Sequence, residues 1–184
     1  MTQQPASEIV RLYIETVQWT DSIIRRVRPS QLGAPTPCAE WNVQALLNHM
    51  AGGTVMYAAT LSGTEASRPT EDAKLEDFLA GSNTVVDLVS VPGATEKMVT
   101  TRRGEVKAGE YLENAFMDAL THGWDLAIAT GQDATMPPHL AQACYDRWAL
   151  KAEGMRGRAF GSEVQVPEGA SIQVKLLGVL GRQG

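Results

Sequence analysis

"MDALTHGWDLAIATG", residues 117–131, strings three ionisable side chains along an otherwise apolar stretch. Leu112, Ala115, Phe116, Ala119, Gly123 and Leu126 recur at helical spacing, which predicts a helix over about 108–130 with one core-facing stripe. Gly131 follows as a C-cap residue. On a wheel of about 100° per residue, Asp118, His122 and Asp125 fall within a sector of roughly 60° on one flank of that stripe. A core-building helix needs none of them. Asp118 and His122 are one turn apart, with Cβ atoms about 5–6 Å from each other. Their side chains can therefore converge on one cation at about 2.0–2.2 Å.

The rest of the chain supplies helices for this one to pack on. Ile9, Leu12, Tyr13, Val17, Ile23 and Ile24 predict a first helix over about 5–28, ended by "SQLGAPTP". A second starts at Asn42, a good N-cap, and runs to about 62 through Val43, Leu46, Leu47, Met50, Tyr57 and Leu61. A third is expected over about 71–90 and a fifth over about 137–153, with Leu140, Cys144, Trp148 and Ala149 inward. Between residues 91 and 109, β-branched residues around a Gly turn predict one short β-hairpin. The segment from Phe160 to Ser171 is expected to be a surface stretch packed back on the domain. The fold class is all-α: an antiparallel four-helix bundle with an extra helix.

His49, on the second helix, also flanks an apolar stripe. Two packed helices would set it opposite Asp118 and His122, as bundle proteins do when they build internal metal sites. Two imidazoles and one carboxylate leave coordination positions open. That set suits zinc with an exchangeable fourth ligand, or nickel or ferrous iron with more. Blander readings stand beside this one. His122 could be a buried histidine bonded to Asp118, His49 a half-buried helix residue, and His139 a surface residue opening a helix. Asp125 is either a solvated carboxylate or an acceptor that orients a ligand histidine. Trp41 and Trp124 read as packing residues.

Bulk properties exclude other classes. At 184 residues the simplest expectation is one domain over 1–184. Net charge is −5 and the basic residues are scattered, so nucleic acid is not an expected partner. No apolar run approaches the roughly 20 residues needed to cross a bilayer. The opening "MTQQPASEIV" lacks the pattern of a signal peptide, and a cytoplasmic location is expected. There Cys38 and Cys144 are expected as free thiols.

"PTPCAEWNVQALLNHMAGG" (35–53), "DALTHGWDLAIATG" (118–131) and the ending "FGSEVQVPEGASIQVKLLGVLGR" (160–182) together resemble a known family. They are similar to the DinB-like metalloenzymes, in particular small relatives of the N-terminal domain of mycothiol-dependent maleylpyruvate isomerase. The resemblance implies a four-helix bundle whose divalent metal is held by His49, Asp118 and His122. It gives Trp41 and Trp124 a structural role and Cys38 no chemistry. The isomerase carries Glu where this chain has Asp118, and has a further C-terminal domain, so a related reaction is expected and not maleylpyruvate isomerisation itself. That reaction would be a metal-dependent transfer of a mycothiol-type thiol onto a small electrophile. Asp125 would orient an imidazole or accept a proton. A hydrolase using metal-activated water and a non-catalytic metal- or ligand-binding bundle are the alternatives, and a homodimer is compatible with either. Substrate-facing residues are expected in the loops around 62–72 and 91–110.

Overall fold

The computed structural model describes residues 7–66, 71–157 and 160–183. Its helices are α1 (Glu8–Ile24), α2 (Val43–Ser62), α3 (Leu75–Val89), α4 (Ala108–Thr130), α5 (Pro138–Trp148) and α6 (Ile172–Val179). Strands β1 (Met98–Thr101) and β2 (Gly104–Lys107) form the expected antiparallel hairpin, with Val99 paired to Val106. No helix among the described residues is long and apolar enough to cross a membrane. The chain gathers into two compact units, Met1–Asp133 and Ala134–Gly184.

The helix boundaries follow from local chemistry. The start of α1 that periodicity set at residue 5 lies outside the described residues. The helix stops at Ile24, short of residue 28. Pro29 explains this, because a residue before proline is driven from the α region, and Arg28 is extended at φ −94°, ψ 147°. For α2 the Asn42 side chain accepts the Ala45 N–H, as an N-cap should. The backbone N–H of Lys74 donates to Asp77 Oδ2 at 2.8 Å, which sets the start of α3. Gly131 closes α4 in the left-handed conformation at φ 66°.

In the first unit α1 packs on α4, α2 packs on both α3 and α4, and α1 also meets α3. Pairings between residues set their directions. Thr20 Oγ1 donates to Ala119 O at 3.0 Å and Gln132 Nε2 donates to Ile23 O at 3.0 Å, so α1 and α4 ascend together. Tyr111 Oη donates to Thr60 Oγ1 at 3.1 Å while His49 meets Asp118, so α2 and α4 run oppositely. Ala73 N–H donates to Asn48 Oδ1, and Gly81 abuts Thr54, so α3 runs with α2. The bundle is ordered up, down, down, up.

Helix α4 is its centre. Leu112, Phe116, Leu120 and Leu126 are all 0% exposed, each contributing about 1.5–3 kcal/mol through burial. Gly123 lets α1 close in, because a Cβ there would lie 2.7 Å from Trp19 Cζ3 and 2.8 Å from Thr20 Oγ1. The flank expected beside the core stripe is covered too, and Asp125 is fully buried.

The second unit holds α5 and α6, which pack on one another. Leu140, Cys144 and Trp148 are buried as periodicity predicts, but α5 ends at Trp148, ahead of residue 153. Helix α6 is an addition to the expected architecture. Its signal was Ser171, whose side chain accepts the Val174 N–H.

Candidate metal centre

Helices α2 and α4 bring three sequence-predicted residues together. Asp118 Oδ1 lies 3.4 Å from His49 Nε2 and 3.5 Å from His122 Nε2. The two imidazoles meet edge to face, with centroids 4.8 Å apart. One donor atom from each of the three residues lies within 4.8 Å of the others. These separations exceed the 2.7–3.2 Å of a good hydrogen bond to nitrogen. They match the edge of a tetrahedron whose centre is about 2.0–2.2 Å from each corner, roughly 3.3–3.6 Å. By donor chemistry and spacing, the set fits a divalent cation. Exposure is graded: the His49 side chain is 35% accessible, Asp118 22% and His122 11%, so one side of the cluster opens to solvent.

Behind His122 the contacts are of another kind. His122 Nδ1 and Asp125 Oδ2 are 2.9 Å apart, a true hydrogen bond to a fully buried carboxylate. With Asp125 ionised, that bond calls for the proton on Nδ1, the tautomer whose Nε2 keeps its lone pair on the Asp118 side. The reading of Asp125 as a solvated carboxylate does not survive its burial.

Sequence reasoning missed Cys38. Its thiol donates to Asp125 Oδ2 at 3.3 Å and lies 3.9 Å from His122 Nδ1. A turn of the α1–α2 connection carries it there. Cys38 N–H donates to Thr36 Oγ1 at 3.1 Å, Thr36 Oγ1 donates to Trp41 O at 2.8 Å, and Trp41 N–H donates to Cys38 O at 2.8 Å. The same turn sets the Trp41 ring 4.5 Å from that of His49 and 5.8 Å from that of His122. Trp41 thus packs on the imidazoles themselves, whereas Trp124 is a buried core residue. "PTPCAEWN" held this information, but nothing local in it shows which helix the turn will cover. His139 is exposed at the start of α5.

The electrostatics centre on Asp118. Burial of the His49 ring opposes its protonation, yet the Asp118 carboxylate, through its 3.4 Å contact and its charge, outweighs burial and holds the His49 pKa above the ordinary imidazole value. Burial pushes the Tyr13 phenol up to about 12, and the Asp118 charge adds to that. Tyr57 is raised the same way, by burial first and Asp118 second. These phenols are neutral neighbours of the carboxylate.

Residues of the second loop expected to face a substrate border a different region. A cavity of about 530 Å³ is lined by Leu61, Ser62, Val91, Lys97, Met98 and Ala108, among others, and by none of the three clustered residues. Of the first loop, residues 67–70 lie outside the described residues.

Comparison with known proteins agrees with this architecture. The model of the mycothiol maleylpyruvate isomerase N-terminal domain matches residues 17–127, a span holding Cys38, His49, Asp118, His122 and Asp125. An uncharacterized protein of Mycobacterium tuberculosis (strain CDC 1551 / Oshkosh) is 31% identical over 169 residues, covering 88% of this chain and 90% of its own. The crystal structure of the mycothiol-dependent maleylpyruvate isomerase matches at TM-score 0.58 and 19% identity, over 93% of this chain and 81% of that one. A histidine-to-alanine mutant of that enzyme gives the same TM-score at 16% identity. The two solved structures share the fold, while the family match extends through the α2 and α4 motifs that build the cluster. The chain belongs to the family of the mycothiol maleylpyruvate isomerase N-terminal domain.

Proposed function

We propose that the chain is a divalent-metal-dependent enzyme that transfers a low-molecular-weight thiol onto a small electrophile, with zinc the first choice of metal. The observation that carries this is the spacing of His49, Asp118 and His122, whose 3.4 and 3.5 Å separations suit shared ligation, beside an open side. Three protein ligands with a vacancy are the mark of reactive sites, since structural sites fill all four positions. A cation held there supplies Lewis acidity, lowering the pKa of a thiol or water placed on it. His49 and His122 offer Nε2 lone pairs and Asp118 one carboxylate oxygen. Asp125 orients His122 from behind by accepting its Nδ1 proton. Trp41 holds the imidazole planes. The solved relatives are described as mycothiol-dependent, and mycothiol is the thiol proposed here.

The test is elemental analysis of the purified protein, followed by thiol consumption with mycothiol or glutathione against a panel of small electrophiles. About one divalent ion per chain is expected, released in His49→Ala and His122→Ala, together with metal-dependent conjugation that prefers mycothiol. No metal in either the native or the zinc-reconstituted protein would overturn the assignment. Metal-dependent hydrolysis of ester or amide without any thiol would move it to a hydrolase.

A further inference from the structure

We propose that Cys38 is a positioning residue of the centre: through its hydrogen bond to Asp125 it holds His122 in the tautomer that presents Nε2 to the cation site. This rests on the reading of His49, Asp118 and His122 as metal ligands. Two donors share one oxygen of Asp125, with His122 Nδ1 at 2.9 Å and Cys38 Sγ at 3.3 Å from Oδ2. A carboxylate can rotate about its Cβ–Cγ bond, and an imidazole facing two carboxylates can carry its proton on either nitrogen. Asp118 lies on the Nε2 side of His122 and Asp125 on the Nδ1 side. The proton must stay on Nδ1 if Nε2 is to act as a ligand. A second donor on Oδ2 pins that oxygen where it accepts the Nδ1 proton.

Cys38 is aimed for this task by a turn with its own hydrogen bonds. Thr36 Oγ1 accepts from the Cys38 N–H, Cys38 O accepts from the Trp41 N–H, and Pro35 and Asn42 bridge the base of the turn. The sulfur sits 3.9 Å from Nδ1 and groups with His122 and Asp125, a set that shares His122 alone with the group of His49, Asp118 and His122. It therefore supports the ligand from behind and adds none of its own to the cation between α2 and α4. Cys144, the other thiol, is fully buried in the second unit.

The experiment compares Cys38→Ala, Cys38→Ser and wild type in the full chain, with two readouts. One is zinc affinity against a competing chelator. The other is the His122 tautomer, read from long-range ¹⁵N–¹H NMR of the zinc-free and zinc-loaded protein. Cys38→Ala is expected to weaken zinc binding about tenfold, the low end of the range for losing a group that orients a ligand, because Cys38 acts through Asp125. It should also turn a single zinc-free His122 tautomer into a mixture. Cys38→Ser, which keeps a donor, should restore the single tautomer and most of the affinity. Cys38→Ala with unchanged affinity and tautomer would overturn the proposal, and so would a serine variant as impaired as alanine. Should the alanine variant not fold, the serine variant decides: a retained tautomer supports the role and a mixed one refutes it. A wild-type protein that binds no zinc would sink the proposed function, while the zinc-free tautomer would still settle the role of Cys38.

Discussion

The two nitrogens of His122 face two different environments. On the Nε2 side, Asp118 Oδ1 stands 3.5 Å from that nitrogen and 3.4 Å from His49 Nε2, too long for good hydrogen bonds, and the His49 side chain is about a third exposed. On the Nδ1 side, Asp125 is fully buried at 2.9 Å and shares its oxygen with the Cys38 thiol. One face is spaced for something to lie between its groups; the other is closed by direct hydrogen bonds. On the proposed reading, carboxylates of one charge and one helix would take different tasks, because burial and distance separate a ligand from the group that orients a ligand.

The comparison can be broken most directly at the residue both sides share. His122→Ala should abolish metal retention, lowering affinity by at least about 100-fold, more than loss of an orienting partner costs, as read by chelator competition and elemental analysis. Wild-type retention in that variant would show that the two sides are not built around His122. Next comes the contrast between the acids. Asp118→Ala should weaken metal binding more than Asp125→Ala, whose loss should stay within about 10- to 100-fold. Equal losses would erase the distinction between the two sides.

A smaller effect appears in the pH dependence. Asp118 raises the His49 pKa, so in metal-free protein His49 should titrate above 6.5, the unperturbed value. The sign for binding follows: protons compete for the imidazole below that pKa, and apparent affinity falls about tenfold per pH unit there for each proton displaced. Asp118→Ala should lower the His49 pKa measured by NMR. No downward movement would mean that Asp118 does not control that ring. The smallest effect tests the bundle around both sides. Gly123→Ala overlaps Trp19 and Thr20, and should destabilise the fold by about 1–2 kcal/mol, overpacking being partly offset by better helix propensity. Chemical denaturation measures it, and a stabilised variant would show that α1 and α4 are not in close contact there.

Much of the fold was legible because helices advertise themselves locally. The stripe of α2 from Val43 to Met50, the Asn42 cap, the α4 pattern and its Gly131 stop all lie within a few residues of what they control. Asp118 and His122 needed only helical spacing to be paired. The position of His49 against them followed from its place beside the α2 stripe if the two helices pack, and the resemblance of 35–53 and 118–131 to a known family implied the same set. The parallel course of α1 and α4 was not legible, since an apolar stripe has no preferred direction for its partner.

From its sequence alone the chain determined which segments coil, which faces are apolar and which ionisable groups share a helical edge, since each depends on backbone geometry within one element. Tertiary structure alone decided that Asp125 is buried, that Cys38 reaches across 87 positions to its carboxylate, and that Trp41 lies on the imidazoles. The physical reason is that burial and long-range hydrogen bonding depend on what covers a surface, and that is set by the packing of all the elements together.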